Sequence, residues 1–369
     1  MNENRHDCLI CGGDLGEPVV AAERMFGMGG EFPYAACRAC GCLQICAAPR
    51  DLSPYYPADR YYSFSANPLQ RVSFQSRPLR ARLLGWLQAP ALFDRSGDAA
   101  AARAGSGIAR LRRRPRKSLE WVRYVLRHTP APSFRMSILD VGCGEGSLLK
   151  ELAALGFRNL HGADPFIGAD RSPHRSIRLH ACAIESLPSE SRFDLILFNH
   201  SLEHIADQHA TLRAVERFLT RDGVCRIEVP VAGCEAWETY GAHWSELDAP
   251  RHLVLHTEQS MRLLARQCGM EVVDAEYVGT SFEYWGSEMY RRGITLYDEA
   301  TGTTRKATSV FGEEEMAGFE RKAAEANRAG RGGRILFTLQ RTAAAAAEAE
   351  SNARPAFAAA VPLSGVTAR

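Results

Sequence analysis

Short apolar runs alternate with amphipathic stretches along the second half of the chain, and the alternation predicts most of its architecture. Ile138 to Gly146 (ILDVGCGEG) is an apolar run closing on an acid and a glycine cluster. It predicts a buried strand that delivers Asp140, then Gly142, Gly144 and Gly146, into the start of a helix. Ser147 to Leu155 has helical period and Gly156 stops it, while Asn159 to Ala163 reads as a second strand ending at Asp164. Farther on, Phe193 to Phe198 (FDLILF) and Gly223 to Val229 (GVCRIEV) are continuous apolar strands separated by the amphipathic stretch His209 to Leu219. Val272 to Val278 and Arg334 to Gln340 supply a sixth and a seventh strand. Strands alternating with helices imply a parallel sheet with right-handed crossovers, so the expected fold is α/β, a doubly wound, seven-stranded, mostly parallel sheet.

Glycine spacing narrows the ligand. A dinucleotide loop wants G-x-G-x-x-G with pyrophosphate on the helix amino end, but the third glycine position here is Ser147 and Asp140 precedes the loop. A carboxylate there repels pyrophosphate and attracts a donor carrying a sulfonium and an ammonium. At these residues the sequence resembles the class I S-adenosylmethionine-dependent methyltransferases, whose first motif has the form D-x-G-x-G. The resemblance implies a Rossmann-like methyltransferase fold and S-adenosylmethionine as cofactor, held by Asp140, Gly142, Cys143 (through its backbone), Gly144 and Gly146. It assigns the ribose hydroxyls to Asp164, with Pro165 beside it. Adenine falls to the loop Ala183 to Pro188, where Ala183 stands at the position of the family's acid, leaving the backbone around Ile184 or Glu185 as the contact. Asn199, ending the fourth strand, completes the expected cofactor set.

At 369 residues and 46% hydrophobic, the chain can bury a full core and has room for more than one domain. A formal charge of +2 predicts neither strong attraction to nucleic acid nor repulsion from it. No apolar run follows a basic start and no stretch is long enough to span a bilayer, so the expected location is cytoplasmic. Eleven cysteines cannot all pair. Cys8-x-x-Cys11 and Cys37-x-x-Cys40, each followed by glycine, have the reach of two thiolate knuckles around one tetrahedral zinc, and Gly12 and Gly41 allow the tight turns. Reduced core cysteines are the plain alternative, disfavoured because two C-x-x-C-G repeats rarely arise without a metal. Four sulfurs close the coordination sphere, so the zinc is expected to be structural. Cys42 and Cys46 fall outside the spacing and read as bystanders; Cys143, Cys182, Cys225, Cys234 and Cys268 read as packing.

The expected organisation is a zinc-ribbon-like module over 1–50, a connecting, partly helical, basic insertion over 51–135, the S-adenosylmethionine-binding domain over 136–341, and a disordered alanine-rich tail over 342–369. Pro49 to Tyr62, rich in proline and tyrosine, reads as a fixed loop that packs against a neighbour and shapes a pocket. Arg71 to Lys117 is strongly basic, interrupted only by Asp94 and Asp98. Such a stretch could lie on an anionic membrane surface, grip a polyphosphate-bearing substrate or bind RNA. A partly disordered segment of solvated arginines, before a helix near Trp121 to Leu126, is the alternative.

Methyl transfer from a sulfonium is an in-line displacement whose leaving group needs no acid, so the enzyme must position its substrates and remove a proton. Loops at the carboxyl ends of the fourth and fifth strands face the ligand in such a sheet, and both carry histidine. The first, Asn199 to His204, offers His200 nearest the strand end and His204; a Glu-His pair here, Glu203-His204, recurs in the resembling family and equally braces the helix. The second, Ala232 to Leu255, is longer than a crossover requires and carries His243-Trp244 and Asp248-Ala249-Pro250-Arg251-His252. His200, His204 and His252 are the candidate bases; His243, Trp244, Asp248 and Arg251 are the candidate substrate contacts. Arg251 can grip a phosphate or carboxylate bidentately, or pair with Asp248 to fix the loop.

The D-x-P-R-H-L string resembles a subgroup of bacterial methyltransferases that accompany surface-glycan and secondary-metabolite biosynthesis. A zinc ribbon joined to such a core resembles enzymes that methylate nucleotide-linked deoxysugars, over roughly Cys8 to Cys46 and Ser137 to Gln340. The resemblance implies methyl transfer to oxygen or carbon of a small molecule, a sugar, glycan or natural-product intermediate, nucleotide- or lipid-linked. Two other readings stand beside it: an RNA methyltransferase that grips RNA with the zinc module and basic insertion, and a protein that holds the nucleoside without turnover. Against base-amine methylation, the fourth strand is followed by Asn199-His200-Ser201-Leu202 in place of an acid or Asn followed by Pro-Pro and an aromatic residue. Oligomeric state is left open.

Overall fold

The structure, a computed structural model, describes residues 7–57, 126, 129 and 132–345. The basic stretch Arg71 to Lys117 and the tail beyond residue 345 lie outside the described residues, and of the helix expected near Trp121 to Leu126 only Leu126 is described, buried beside the sheet.

In chain order the elements are β1 (Val19–Glu23), β2 (Gly29–Ala36), β3 (Leu43–Ile45), β4 (Ser137–Val141), α1 (Ser147–Leu155), β5 (Asn159–Ala163), β6 (Arg171–His174), β7 (Ile177–His180), β8 (Phe193–Asn199), α2 (Gln208–Phe218) and β9 (Leu219–Pro230). There follow α3 (Glu235–Tyr240), β10 (Val254–Leu255), α4 (Glu258–Gln267), β11 (Met270–Tyr277), α5 (Phe282–Arg291), β12 (Tyr297–Asp298), β13 (Thr303–Thr304), α6 (Glu313–Arg328) and β14 (Arg334–Arg341).

The central sheet has the order β11-β14-β9-β8-β4-β5-β7-β6. From β7 to β9 all neighbours are parallel, and β14 runs antiparallel to both β9 and β11. Six of these strands lie where the sequence placed them and β7 is the third strand that the expected count required; the eighth strand, β6, folds back antiparallel on β7 at the sheet edge. Its sequence, RSPH, is mostly exposed and has no apolar run that would announce a strand. Strand alternation decides which face each residue enters. Ile138 and Leu195 join one hydrophobic cluster with Leu149 and Leu152 of α1, whereas Leu139 and Ile196 join another with Leu212, Val215 and Phe218 of α2. Two apolar faces covered by helices make the sheet doubly wound.

Capping explains where the helices begin and end. Gly156, at φ 113°, ends α1 and donates to the Ala153 carbonyl. The Asp207 carboxylate accepts from the Ala210 amide and starts α2.

Two features were not legible in the apolar pattern. The cysteine-bearing segment forms a four-stranded sheet, β1-β2-β3-β10, whose last strand comes from the long loop after β9, Val254 and Leu255 lying opposite Gln44 and Leu43. Between β11 and β14 the chain inserts α5, the β12–β13 ribbon and α6. Met25 and Phe26 pack with Tyr290, Leu296 and Tyr297 of that insertion, and the Tyr297 amide donates to the Met25 carbonyl at 2.7 Å. Among the described residues no helix is long and apolar enough to cross a membrane.

Candidate active site

The glycine loop after β4 forms a cradle built from backbone. Gly142, Gly144 and Gly146 have φ of 76°, 50° and 71°, in the left-handed region. A Cβ on Gly142 would stand 2.5 Å from the Cβ of Ser201, whose hydroxyl donates to the Val141 carbonyl at 2.7 Å. Asp164 closes the cradle from the end of β5: one carboxylate oxygen accepts from the Gly144 amide at 2.9 Å and the other from the Phe166 amide at 2.8 Å. Asp140 is buried beside it. Burial first, and then the charge of Asp164, pushes the Asp140 carboxyl up to about 7. Two neighbouring buried carboxylates, with no cation paired to Asp140 among the described residues, make a site that a positively charged ligand stabilises.

Around this cradle the other expected cofactor residues divide. Cys143 turns its thiol away, so close to Gly162 that a Cβ there would meet the sulfur at 2.4 Å. Ile184 is buried in a short 3-10 turn, and Glu185 uses its carboxylate to accept from the Thr211 hydroxyl at 2.5 Å. Pro165 and Asn199 are exposed at the ends of β5 and β8. Phe166, 77% exposed, follows Pro165 at the mouth of the cradle.

Three histidines and an acid lie together past the ends of β8 and β9. His200, at φ 53°, sits with Nδ1 3.5 Å from Glu203 and Nε2 3.4 Å from Glu228. Burial alone would lower the His200 pKa, but the two carboxylates outweigh it and hold it up at about 9. The two carboxylates therefore favour the imidazolium, a donor, over the neutral base expected of His200. Glu203 is buried, and among the described residues neither of its oxygens has a hydrogen-bond partner, the 3.5 Å contact with His200 being an ion pair too long for one. Burial would raise its carboxyl, and the surrounding imidazoles lower it.

His204 presents Nδ1 to two oxygens, the Arg251 carbonyl and the Tyr56 hydroxyl, each at 3.0 Å. Burial, with His252 adding to it, takes its pKa down to about 4, so the ring is neutral at pH 7. His252 stacks edge-on against it, ring centroids 4.7 Å apart. Its Nδ1 lies 2.7 Å from the Glu246 carbonyl, while Nε2 stands 3.9 Å from both Glu203 and Asp248. A carbonyl only accepts, so in the neutral ring Nδ1 carries the hydrogen and Nε2 the lone pair. Glu203, His204 and His252 also bring one ligand atom each within 4.8 Å of one another, close enough to hold a divalent cation.

The expected substrate contacts fare differently. Arg251 is fully buried, donating to both Asp248 oxygens at 2.6 and 2.8 Å, to Glu23 at 2.8 Å and to the Tyr55 carbonyl at 3.1 Å. Every nitrogen of the guanidinium is engaged within the protein, so it cannot reach an acceptor. Its pairing with Asp248 fixes the loop. Trp244 is buried against Trp237, ring centroids 5.9 Å apart. His243 is half-buried on a 3-10 turn, and its charged neighbours are Arg24 and Arg291. Glu23, Tyr34, Tyr56 and Glu228 are the residues that sequence reasoning missed. A charge inside the apolar strand GVCRIEV was the one available signal for Glu228.

The four cysteines converge. Cys8, Cys11, Cys37 and Cys40 place their sulfurs within 4.8 Å of one another. The amides of Ile10 and Gly13 point at the Cys8 and Cys11 sulfurs at 3.3 and 3.4 Å, and the Ala39 amide at Cys37 at 3.4 Å. Gly12 and Gly41, at φ 70° and 74°, each donate to the carbonyl four residues back at 2.9 Å, so the two knuckles repeat one geometry. Thiolates fed by backbone amides suit a tetrahedral divalent metal. Cys42, read as a bystander, in fact touches the group, 3.4 Å from the Cys8 sulfur.

Comparison with known proteins points to methyltransferases. A methyltransferase-domain family model matches residues 107–275. The ubiquinone biosynthesis O-methyltransferase of Cereibacter sphaeroides (strain ATCC 17025 / ATH 2.4.3) is 31% identical over 196 residues, 45% of this chain and 73% of that protein. Its counterpart from Bradyrhizobium diazoefficiens is 25% identical over 157 residues, 37% of this chain and 61% of its own length, so the similarity spans less than two thirds of that relative. Among solved structures, a SAM dependent methyltransferase from Archaeoglobus fulgidus has a TM-score of 0.38 at 14% identity, covering 61% of this chain and 92% of that one.

Proposed function

Since the chain belongs to the class I S-adenosylmethionine-dependent methyltransferases, we propose that it transfers a methyl group to a hydroxyl oxygen of a small-molecule acceptor, with His252 as the general base. The observation that carries this is the orientation of His252: Nδ1 on the Glu246 carbonyl at 2.7 Å, Nε2 turned toward two carboxylates at 3.9 Å. When bound, S-adenosylmethionine supplies an electrophilic methyl on a positively charged sulfur.

The chain's own groups do the rest. Asp140 and Asp164 favour a cationic donor over a phosphorylated one, and the glycine cradle lets backbone approach it. Gly142, Gly144 and Gly146, with Pro165, Ile184 and Asn199 around them, form the donor-binding set of this reading. As the acceptor oxygen attacks, Nε2 of His252 takes its proton, and Asp248 and Glu203 stabilise the imidazolium that forms. Cys8, Cys11, Cys37 and Cys40 hold a structural zinc in a module over roughly 1–50, followed by the donor-binding domain over 136–341.

Oxygen is favoured as the acceptor atom because the curated relatives are O-methyltransferases. The test is transfer of labelled methyl from S-adenosylmethionine to a panel of catechols, nucleotide sugars and lipid-linked sugars. Labelled product on one class, lost with His252→Gln, is the expected result. Label on none of them, with S-adenosylhomocysteine bound normally, would refute it.

A further inference from the structure

The cysteine-bearing sheet reaches into the catalytic loop through a series of polar ties. The Tyr34 hydroxyl, fully buried, donates to the His252 carbonyl at 2.8 Å. Glu23 pairs with Arg251 at 2.8 Å, the Ile45 amide donates to the Leu253 carbonyl at 3.0 Å, and the Thr257 hydroxyl donates to the Cys40 carbonyl at 2.8 Å. Val254 and Leu255 are themselves a strand of that sheet. From Arg251 to Thr257, the segment that carries His252 is thus held by residues more than two hundred positions away in sequence. Tyr56, just past the same module, reaches His204 at 3.0 Å with its ring edge-on to the imidazole.

We propose that Tyr34 and Tyr56 are positioning residues for the methyl transfer, Tyr34 fixing the backbone of His252 and Tyr56 the ring of His204, so that the cysteine module governs turnover and not donor binding. The inference rests on the reading of His252 as base. The tautomers support it. The Arg251 and Glu246 carbonyls can only accept, so both imidazoles direct an Nδ1 hydrogen at them, which leaves Nε2 as the other nitrogen of each neutral ring. With the Nδ1 hydrogen of His204 directed at two oxygens, the Tyr56 oxygen acts as the second acceptor. Without it the ring keeps one partner and gains freedom to turn. Removing the Tyr34 hydroxyl frees the His252 carbonyl, and displacing a reacting group by about 1 Å can cost on the order of a hundredfold in rate. None of these ties touches the glycine cradle, which is why donor affinity is expected to survive their loss.

Tyr34→Phe and Tyr56→Phe, singly and together in the full metal-loaded chain, test the idea through histidine ¹⁵N resonances, assigned with His204→Gln and His252→Gln, and through calorimetry with S-adenosylhomocysteine. Wild type is expected to show protonated Nδ1 in both rings. Tyr56→Phe should broaden the His204 signals and Tyr34→Phe those of His252, each with affinity for S-adenosylhomocysteine within about twofold, and kcat on whichever acceptor the labelled-methyl panel identifies should fall on the order of tenfold. Stripping the thiolate metal with a mercurial should reproduce the spectroscopic change. Unchanged resonances in both variants, or a loss of S-adenosylhomocysteine binding that parallels the change, overturns the proposal. Full turnover in His252→Gln overturns the base reading instead, so the two failures are distinguishable.

Discussion

Arg251→Met would place an apolar side chain of similar reach where the guanidinium now lies fully buried, 2.6 Å from Asp248 and 2.8 Å from Glu23. Two carboxylates are then left facing each other without a cation. Removing one partner of a buried pair costs about 3–5 kcal/mol, against about 1 kcal/mol or less for an exposed pair. At about 1.4 kcal/mol per decade, that is roughly two to three and a half decades in the unfolding equilibrium. The Asp248 side chain keeps 16% of its surface, which argues for the lower part of the range, whereas that of Glu23 keeps none. The pH dependence has a definite sign. Burial would raise the Asp248 carboxyl, but Arg251 outweighs it and holds the group below its usual range. The native advantage is therefore present above the ordinary carboxylate pKa and lost as pH falls through the lowered one. In the variant that advantage is absent, so the gap from wild type should hold from pH 7.5 down to about pH 4 and narrow only below it. Urea unfolding followed by tryptophan fluorescence suits the measurement, because Trp244 is buried in the same loop. The triple variant Arg251→Met, Asp248→Asn, Glu23→Gln removes all three charges and should recover most of the loss. A single variant within about 1 kcal/mol of wild type at pH 7.5 would refute the account.

Other expectations follow from single distances. Gly142→Ala forces a side chain to φ 76° and to within 2.5 Å of the Ser201 Cβ, so calorimetric affinity for S-adenosylhomocysteine should fall by more than about tenfold while circular dichroism stays native; retained affinity would mean that the loop yields. Burial opposes the Glu203 and Glu228 contacts that raise His200 to about 9, so its net contribution is full below about 6.5 and lost as pH rises through about 9. Wild type should accordingly lose stability across that window and His200→Asn should not; parallel curves would count against the ion pair. His252→Gln should lower kcat by about a hundredfold or more with the KM for S-adenosylmethionine within about twofold, and an equal fall in kcat and in donor affinity would place the residue at the donor instead.

Local pattern carried the reading of the sheet. The glycine spacing after ILDV, the stop at Gly156 and the apolar runs of β8 and β9 depend on residues a few positions apart, and those dictate backbone conformation and the period of burial. The same locality made the two Cys-x-x-Cys knuckles visible, since each turn closes within four residues. Arg251 shows the limit. Its pairing with Asp248, three residues away, could be weighed beforehand, but Glu23, 228 residues distant, could not, and that second carboxylate occupies the remaining face of a guanidinium that looked available to substrate. His200, His204 and His252 stood level as candidate bases, and only the fold brings Glu228 of the neighbouring strand within 3.4 Å of His200, favouring its imidazolium. Nor could periodicity show that Val254 and Leu255 leave the catalytic loop to complete another sheet, because a two-residue strand has no period of its own. Backbone geometry is set by neighbours along the chain and is written there. Which carboxylate meets which cation in a dry interior is set only when distant segments close on one another, and that belongs to the tertiary structure alone.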